Sequence, residues 1–251
     1  MRVLLWLLVF SLAAMVGLIA AWALQPTPPP LPELRVLEQG RPTAVPTQTP
    51  SPLPSPPPEP TQQALDLIAR NTTIIEATAP RGRGPLVQVS RGTGMVVRLL
   101  PDGYVILTAA HVMDAGTSVR ARRVAARIWC DGEMVTDYEG ADVAVLYCRF
   151  DDASGLPQLP QPRLVSGARD YEGRPVLFRC HFDDAPRLGK VTGQALSPSG
   201  SPLLVTDIPA EPGCSGSALL DTEGNIIGVV VGSDRERGTA LAAVLPQSLN
   251  P

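Results

Sequence analysis

The sequence predicts an all-β domain over residues 61–251, preceded by an apolar segment at residues 1–24 and a proline-rich linker at residues 25–60. Three observations support this organisation. From about residue 72 onward, short apolar runs alternate with turn signals at a spacing typical of an all-β barrel or sandwich. Half of the 28 prolines fall within residues 25–60. Residues 3–24 carry no charged side chain.

The apolar segment at residues 3–24 is long enough to cross the ~30 Å hydrocarbon core of a bilayer as a helix. Arg2 precedes it and Glu33 is the first charge after it, which favours a cytoplasmic amino terminus. Ala21-Trp22-Ala23 has the small-x-small form of a signal-peptide cleavage site, so secretion after cleavage is the alternative. We expect an uncleaved membrane anchor, and both interpretations place the rest of the chain outside the cytoplasm.

Residues 25–60 are predicted to form an extended spacer. Proline has a fixed φ and no amide hydrogen, so a segment such as Pro56-Pro57-Pro58-Glu59-Pro60 favours a polyproline-like conformation over helix or sheet.

Composition argues against two classes of partner. The net charge of −3 and the pI near 5.4 argue against nucleic acid as a main partner. The four cysteines lack the close Cys-x-x-Cys spacing of zinc sites; they are Cys130, Cys148, Cys180 and Cys214. An even number of cysteines in an exported domain makes two disulfides plausible, with small buried apolar thiols as the alternative.

The elements of the predicted domain begin with one helix. Thr61 can cap a helix over Gln62–Arg70, whose Ala64, Leu65 and Ile68 share one face. The candidate strands after it are Thr73–Ala77, Leu86–Ser90, Gly94–Leu100, Tyr104–Thr108, Ser118–Arg122, Ala126–Cys130, Val143–Arg149, Pro175–Arg179, Val191–Leu196, Leu203–Thr206, Ser217–Leu220, Ile226–Val231 and Thr239–Val244. The predicted hairpin turns are Asp102-Gly103, Asp131-Gly132 and Glu223-Gly224-Asn225.

Three segments bring together the residue types of a nucleophilic triad. They are Leu107-Thr108-Ala109-Ala110-His111-Val112, Ala141-Asp142-Val143-Ala144-Val145-Leu146 and Pro212-Gly213-Cys214-Ser215-Gly216-Ser217-Ala218-Leu219-Leu220. They supply a base, a carboxylate and a hydroxyl in the order His111, Asp142, Ser215, at separations of 31 and 73 positions. Subtilisins and α/β-hydrolases use other orders.

Each residue of this set has a chemical reason to be present. A serine hydroxyl becomes a useful nucleophile when an imidazole accepts its proton, and a carboxylate fixes the tautomer of that imidazole. Gly213 permits a tight turn before Ser215. The amides of Gly213 and Ser215 can then form an oxyanion hole, in which each donor contributes about 2.7–4 kcal/mol to the transition state.

Five segments also carry a family resemblance: Gly92-Thr93-Gly94-Met95-Val96-Val97, Asp102-Gly103-Tyr104-Val105-Ile106, and the three segments around His111, Asp142 and Ser215. Over residues 72–246 the chain resembles the trypsin-like serine peptidases, and most of all their high-temperature-requirement (Deg) branch. The resemblance implies a chymotrypsin-type double six-stranded β-barrel with the site in the cleft between barrels. It also implies hydrolysis of protein or peptide substrates through an acyl-enzyme, without metal or cofactor.

The chain departs from the family pattern at three places. Gly216-Ser217-Ala218 stands where the family usually has Gly-Gly-Pro. Cys214 replaces the aspartate that pairs with a newly cut amino terminus in digestive relatives, so activation by such a cut is not expected. The sequence ends at Pro251, so the peptide-binding PDZ domain of many Deg proteases is not expected either.

The resemblance also suggests a substrate pocket and a role for the cysteines. It places the pocket for the residue before the scissile bond among Pro209–Gly213 and Val229–Ser233, with Glu211 on the rim. A Cys180–Cys214 bridge would hold the oxyanion amides in place. Cys130 and Cys148 end candidate strands on either side of residues 131–142, so they could face each other across a first-barrel sheet. Unbridged thiols stay an alternative for both pairs.

The sequence argues against two of three alternative functions. An α/β-hydrolase esterase needs Gly-x-Ser-x-Gly and a later histidine, but Ser217 breaks the motif and no histidine follows Ser215. A cysteine nucleophile at Cys214 would need the pattern Gly-x-Cys-Gly, whereas Gly213 directly precedes Cys214. A catalytically inactive protease-like binding module on a membrane stalk is the alternative that the sequence leaves open.

Overall fold

The computed structural model describes residues 58–80, 87–114, 116, 118–126, 129–150, 158–167, 169–234 and 236–249. The predicted anchor at residues 3–24 lies outside these ranges, as does all of the predicted linker before residue 58. Within the ranges, no helix has both the length and the apolar character needed to cross a membrane.

One helix and twelve strands form the described part of the chain. The helix α1 spans Gln62–Asn71, and the side chain of Thr61 caps it by accepting a hydrogen bond from the amide of Ala64 at 3.2 Å. The strands are β1 Thr72–Pro80, β2 Val87–Leu100, β3 Gly103–Ala109, β4 Ser118–Arg123, β5 Cys130–Tyr138, β6 Val143–Arg149, β7 Pro175–Phe178, β8 Arg187–Leu196, β9 Pro202–Pro209, β10 Ala218–Asp221, β11 Ile226–Ser233 and β12 Thr239–Val244. Short 3₁₀ turns cover Ala110–Val112 and Glu139–Ala141.

The strands close into two barrels with the same strand order. The first barrel runs β1-β2-β3-β6-β5-β4, and the second runs β7-β8-β9-β12-β11-β10. All pairings within the two barrels are antiparallel. The all-β class and the double six-stranded barrel are therefore confirmed.

The predicted hairpin turn at Asp131-Gly132 is wrong, because both residues lie inside β5. Gly132 pairs with Cys148 on β6 and with Val119 on β4. A Cβ at Gly132 would come within 2.9 Å of Leu146 Cδ1, so the glycine serves a close approach between strands and not a reversal of the chain. Strand β5 begins at Cys130, where the candidate strand Ala126–Cys130 was expected to end.

Two clusters of buried apolar side chains fill the domain. One lies within the second barrel, around residues such as Phe178 and Ile227. The other joins Ile106 and Leu146 of the first barrel to Leu220 and Val229 of the second. Because the cluster around Ile106 and Leu220 contains side chains from both barrels, burial of apolar surface holds the two barrels together and fixes the cleft where they meet.

Candidate active site

His111 and Asp142 lie side by side at the end of one strand pair. Strand β3 pairs with β6 so that Ala109 faces Val143, and each candidate residue lies just beyond this pair. Asp142 Oδ2 lies 2.7 Å from His111 Nδ1, and Asp142 Oδ1 accepts the backbone N–H of His111 at 2.9 Å. The amide of Ala110 also donates to the carbonyl of Asp142 at 3.2 Å. Both carboxylate oxygens therefore hold His111, one by its ring and one by its backbone.

The backbone of Asp142 explains why its carboxylate can make both contacts. Its φ of 53° lies in the left-handed region, which aspartate and asparagine adopt more readily than most other residues. This residue turns the chain between the 3₁₀ turn at Glu139–Ala141 and strand β6. The turn directs the side chain across to the neighbouring strand end.

The pKa of His111 is raised above its ordinary value. The largest cause is the hydrogen bond to Asp142, burial of the ring opposes it, and the negative charges of Asp142 and Asp114 add to the rise. The side chain of His111 stays 41% exposed and that of Asp142 36%, so water has access to the pair.

Ser215 lies in a tight turn before β10, which we call the serine turn (residues 211–217). Glycines with positive φ flank it, at 99° for Gly213 and 89° for Gly216. The amide of Cys214 donates to the carbonyl of Glu211 at 3.0 Å, and that of Ser217 donates to the carbonyl of Cys214 at 3.0 Å. Two further hydrogen bonds join Gly216 and Ser217 to Val230 of β11. At Gly216 a Cβ would collide with the carbonyl oxygen of Thr93, so glycine is required there.

The serine turn packs against the first barrel beside the turn that carries His111. The backbone N–H of Thr93 donates to the carbonyl of Ser215 at 2.8 Å. A Cβ at Gly92 would lie 2.6 Å from Val112 Cγ1 and 3.0 Å from the carbonyl oxygen of Ser215. Among the described residues, no hydrogen bond joins the imidazole of His111 to the hydroxyl of Ser215. Such bonds are often long before substrate binds.

The two candidate oxyanion donors are free to bind a ligand. Neither the N–H of Gly213 nor that of Ser215 donates to an acceptor in the described part of the chain. Both belong to the serine turn, whose neighbouring peptide groups do have partners.

A cavity of about 130 Å³ opens next to Ser215. Its lining residues are Ala210, Glu211, Pro212, Cys214, Ser215, Val230, Gly232 and Ser233. The cavity lies in the two windows that the sequence suggested for the substrate pocket. The side chain of Glu211 is 63% exposed, and its Oε1 lies 3.4 Å from Arg187 Nη1. The one acidic group of this pocket is thus already engaged with a cation.

The four cysteines form two disulfides. Cys130 on β5 is joined to Cys148 on β6, with 5.6 Å between their Cα atoms. Cys180, two residues after β7, is joined to Cys214 with a Cα separation of 4.7 Å. Because the sulfur of Cys214 is part of a disulfide, no thiolate is present there to act as a nucleophile.

Two further residues, Thr93 and His181, support the serine turn, and neither could be assigned a role from the sequence. The side-chain oxygen of Thr93 lies 2.8 Å from the carbonyl oxygen of Gly213 and 3.1 Å from Nδ1 of His181. Burial lowers the pKa of His181, and a hydrogen bond to the backbone of Gly213 opposes this shift. The only feature of the sequence that distinguishes Thr93 is its position between two glycines, Gly92 and Gly94.

Within the described ranges, no group of three or more histidine, cysteine, aspartate or glutamate side chains is arranged to hold a metal ion.

Residues 92–229 match the family model of the trypsin-like peptidase domain. The chain belongs to this family of serine endopeptidases. The match contains the positions of His111, Asp142 and Ser215.

One curated relative and two solved structures are similar to this chain. The chain is 30% identical over 155 residues to a probable periplasmic serine endoprotease, DegP-like, from Hahella chejuensis (strain KCTC 2396), covering 59% of this chain and 31% of that protein. It therefore spans about a third of the length of this curated relative. The serine endoprotease from Yersinia pestis has a TM-score of 0.54 and 22% identity, covering 72% of this chain and 61% of that one. The active form of the Rv3671c protease from M. tuberculosis has a TM-score of 0.55 and 20% identity, covering 84% and 89%. At these identities the two structures support the fold.

Proposed function

We propose that this trypsin-like domain is an active serine endopeptidase in which Ser215 is the nucleophile, His111 the general base and Asp142 the carboxylate that orients it. The observation that carries this proposal is the double contact of Asp142 with His111. The contact at 2.7 Å to Nδ1 favours the tautomer in which Nδ1 carries the proton and Nε2 is free to accept one. The contact at 2.9 Å to the backbone amide prevents the carboxylate from turning away.

The proposed reaction proceeds in two balanced halves. His111 Nε2 accepts the proton of the Ser215 hydroxyl while the serine oxygen attacks the scissile carbonyl carbon. The resulting oxyanion accepts hydrogen bonds from the amides of Gly213 and Ser215. The proton on His111 then passes to the leaving amine, the peptide C–N bond breaks, and an acyl-enzyme remains. Water attacks this ester with His111 again as base, and the carboxylic acid product leaves with Ser215 restored.

The cavity beside Ser215 supports a preference for uncharged aliphatic residues before the scissile bond. An apolar cavity of about 150 Å³ can hold benzene, so about 130 Å³ has room for an aliphatic side chain, and Ala210, Val230 and Gly232 present little polar surface in it. A basic side chain would need an unpaired carboxylate, but Glu211 is exposed at the rim and lies beside Arg187. We therefore propose protein substrates cleaved after uncharged aliphatic residues such as alanine, valine or leucine.

The domain is further proposed to act outside the cytoplasm, held to the membrane by residues 3–24 through the spacer at residues 25–60. The uncharged run of residues 3–24 supports the membrane anchor, and the description of the Hahella relative as periplasmic supports a location outside the cytoplasm. A spacer of ~35 residues at ~3.1 Å each could reach on the order of 100 Å from the membrane. Membrane fractionation tests the anchor: a soluble mature protein that begins near Leu24 would show a cleaved signal peptide instead.

Substitution of Ser215 by alanine tests the catalytic proposal against its main rival, an inactive binding module. The full-length S215A variant should lose cleavage of a peptide 4-nitroanilide and labelling by a fluorophosphonate probe, while its melting temperature stays near that of the wild type. Hydrolysis at the wild-type rate by S215A would refute the assignment. A wild-type protein that neither cleaves nor reacts with the probe would favour the binding module.

A further inference from the structure

The hydroxyl of Thr93 has three polar neighbours but only one proton to donate. Its oxygen lies 2.8 Å from the carbonyl oxygen of Gly213, 3.0 Å from the backbone nitrogen of His181 and 3.1 Å from Nδ1 of the same histidine. The backbone N–H of His181 can only donate, and the carbonyl of Gly213 can only accept. The hydroxyl proton of Thr93 therefore belongs in the bond to Gly213.

This arrangement also assigns the proton of the His181 ring. If Nδ1 carried no proton, it would compete with the carbonyl of Gly213 for the single hydroxyl proton, and one close contact would join two acceptors. With the proton on Nδ1, the ring donates to Thr93, the backbone N–H of His181 donates to Thr93, and Thr93 donates to Gly213. Each of the three close contacts of the Thr93 oxygen then joins one donor to one acceptor.

The carbonyl held in this way belongs to the peptide group between Gly213 and Cys214. The amide of this same group donates to the carbonyl of Glu211 at 3.0 Å, so the planar group is held at both ends. Gly213 lacks a Cβ and has a φ of 99°, so its own bonds resist rotation weakly. The N–H of Gly213 belongs to the preceding peptide group, which is joined to the held group only through the rotatable bonds of Gly213. Fixing the carbonyl side of Gly213 therefore limits the rotations by which its N–H could turn away from the position that an oxyanion would occupy.

Thr93 also holds the other end of the serine turn, because its backbone N–H donates to the carbonyl of Ser215 at 2.8 Å. Its own carbonyl accepts a hydrogen bond from the hydroxyl of Thr108 at 2.8 Å, which fixes Thr93 to strand β3. Strand β3 leads directly into the turn that carries His111. A single residue of the first barrel is thus bonded to both candidate oxyanion residues of the second.

We propose that Thr93 and His181 are positioning residues for the oxyanion hole: the Thr93 hydroxyl, oriented by His181, holds the carbonyl of Gly213 and thereby directs the amides of Gly213 and Ser215 at the substrate. This inference rests on the proposed peptidase function. An oxyanion exists only after the serine has attacked, so loss of this support lowers kcat and leaves KM nearly unchanged.

Substitution of Thr93 by valine or by serine distinguishes the effect of the hydroxyl on activity from the effect of the side-chain shape. In the full-length protein, Thr93→Val should lower kcat for an alanyl peptide 4-nitroanilide by about 10- to 100-fold, somewhat less than deletion of an oxyanion donor itself. Thr93→Ser keeps the hydroxyl and should be at least about tenfold more active than Thr93→Val. Thr192→Val is the matched control, because it removes an exposed threonine hydroxyl that bonds a carbonyl elsewhere in the second barrel.

Substitutions of His181 give an independent measurement if Thr93→Val fails to fold. Asparagine can donate from its amide at about the position of Nδ1, whereas leucine cannot. His181→Leu should therefore lower kcat more than His181→Asn, again with little change in KM. Nitrogen-15 NMR of the wild type at neutral pH should show the proton of a neutral His181 on Nδ1.

Several outcomes would overturn the inference while leaving the peptidase function intact. They are a Thr93→Val variant with wild-type kcat, equal losses for valine and serine at position 93, a loss confined to KM, or a His181 proton found on Nε2. Each is judged with Ser215→Ala measured in parallel. If Ser215→Ala keeps its activity, the proposed function itself is wrong, and the variants of Thr93 do not bear on it.

Discussion

Replacement of Asp142 by asparagine should remove nearly all activity without disturbing the backbone. Asparagine has almost the same shape as aspartate and tolerates the left-handed conformation at φ 53° equally well. The substitution changes one of the two oxygens into an NH₂ group. Only one of the two contacts to His111 can then be kept as it is.

The structure determines which contact survives. The backbone N–H of His111 is an obligatory donor, so the remaining oxygen of the amide has to face it at the 2.9 Å contact. The NH₂ group then faces Nδ1 of His111, where the 2.7 Å contact now stands. An NH₂ group donates, so Nδ1 becomes the acceptor and the ring proton moves to Nε2. A protonated Nε2 cannot accept the proton of the Ser215 hydroxyl.

The expected size of this effect is about 10⁴-fold in kcat, which is the cost of holding a triad histidine in the wrong tautomer. It corresponds to about 5.4 kcal/mol of transition-state stabilisation at ~1.36 kcal/mol per factor of ten. The assay is steady-state cleavage of an alanyl peptide 4-nitroanilide at neutral pH, with the melting temperature as a check of folding. Asp114→Asn is the control, because Asp114 also acts electrostatically on His111, and no hydrogen bond joins it to the ring among the described residues. A folded D142N variant with kcat within tenfold of the wild type would refute the assigned role.

Three further outcomes are expected. Because neighbouring carboxylates raise the pKa of His111, activity should fall as the pH drops through a value above the ordinary ~6.5. Asp114→Asn removes one of the charges that raise this pKa, so it should move the acid limb of the kcat/KM profile to lower pH, and a shift to higher pH would contradict the reasoning. Gly232→Val should reduce kcat/KM for leucyl relative to alanyl peptides by about 10- to 200-fold. No described atom lies within 4 Å of a Cβ at this position, so the melting temperature should change little, and equal losses for both peptides would argue against the pocket assignment. Mild reduction of Cys180–Cys214 should lower turnover before it lowers the melting temperature; unchanged turnover after verified reduction would show that the bridge does not brace the serine turn.

The strands and the all-β class were predictable because their evidence in the sequence is local, whereas the double barrel was expected from the family resemblance. A short apolar run between turn signals indicates a strand whatever its neighbours are. Once β3 and β6 pair so that Ala109 faces Val143, the loops that carry His111 and Asp142 lie side by side. Asp131-Gly132 was misassigned because the same dipeptide suits a hairpin turn and a strand that packs closely. Only the nearby side chain of Leu146, 14 positions further along the chain, distinguishes the two cases.

The support of the serine turn could not be predicted in the same way. Thr93 and Gly213 are 120 positions apart, and nothing in the sequence around either residue encodes their hydrogen bond. The position of Thr93 depends on how the two barrels pack against each other. His181 likewise gave no signal, because its role depends on a hydroxyl group 88 positions earlier in the chain.

The division of the site between the two barrels separates two properties of the enzyme. His111 and Asp142 both lie just beyond the Ala109–Val143 pair of the first barrel, so their mutual geometry depends on the β3–β6 pairing and on the backbone of Asp142. Ser215 belongs to the second barrel and reaches the first through the hydrogen bond from Thr93 and through the packing around Gly92. A change that loosens the contact between barrels should therefore lower kcat while leaving the raised pKa of His111 in place. A change within the β3–β6 pair should alter that pKa and kcat together, because it moves the base relative to its own carboxylate.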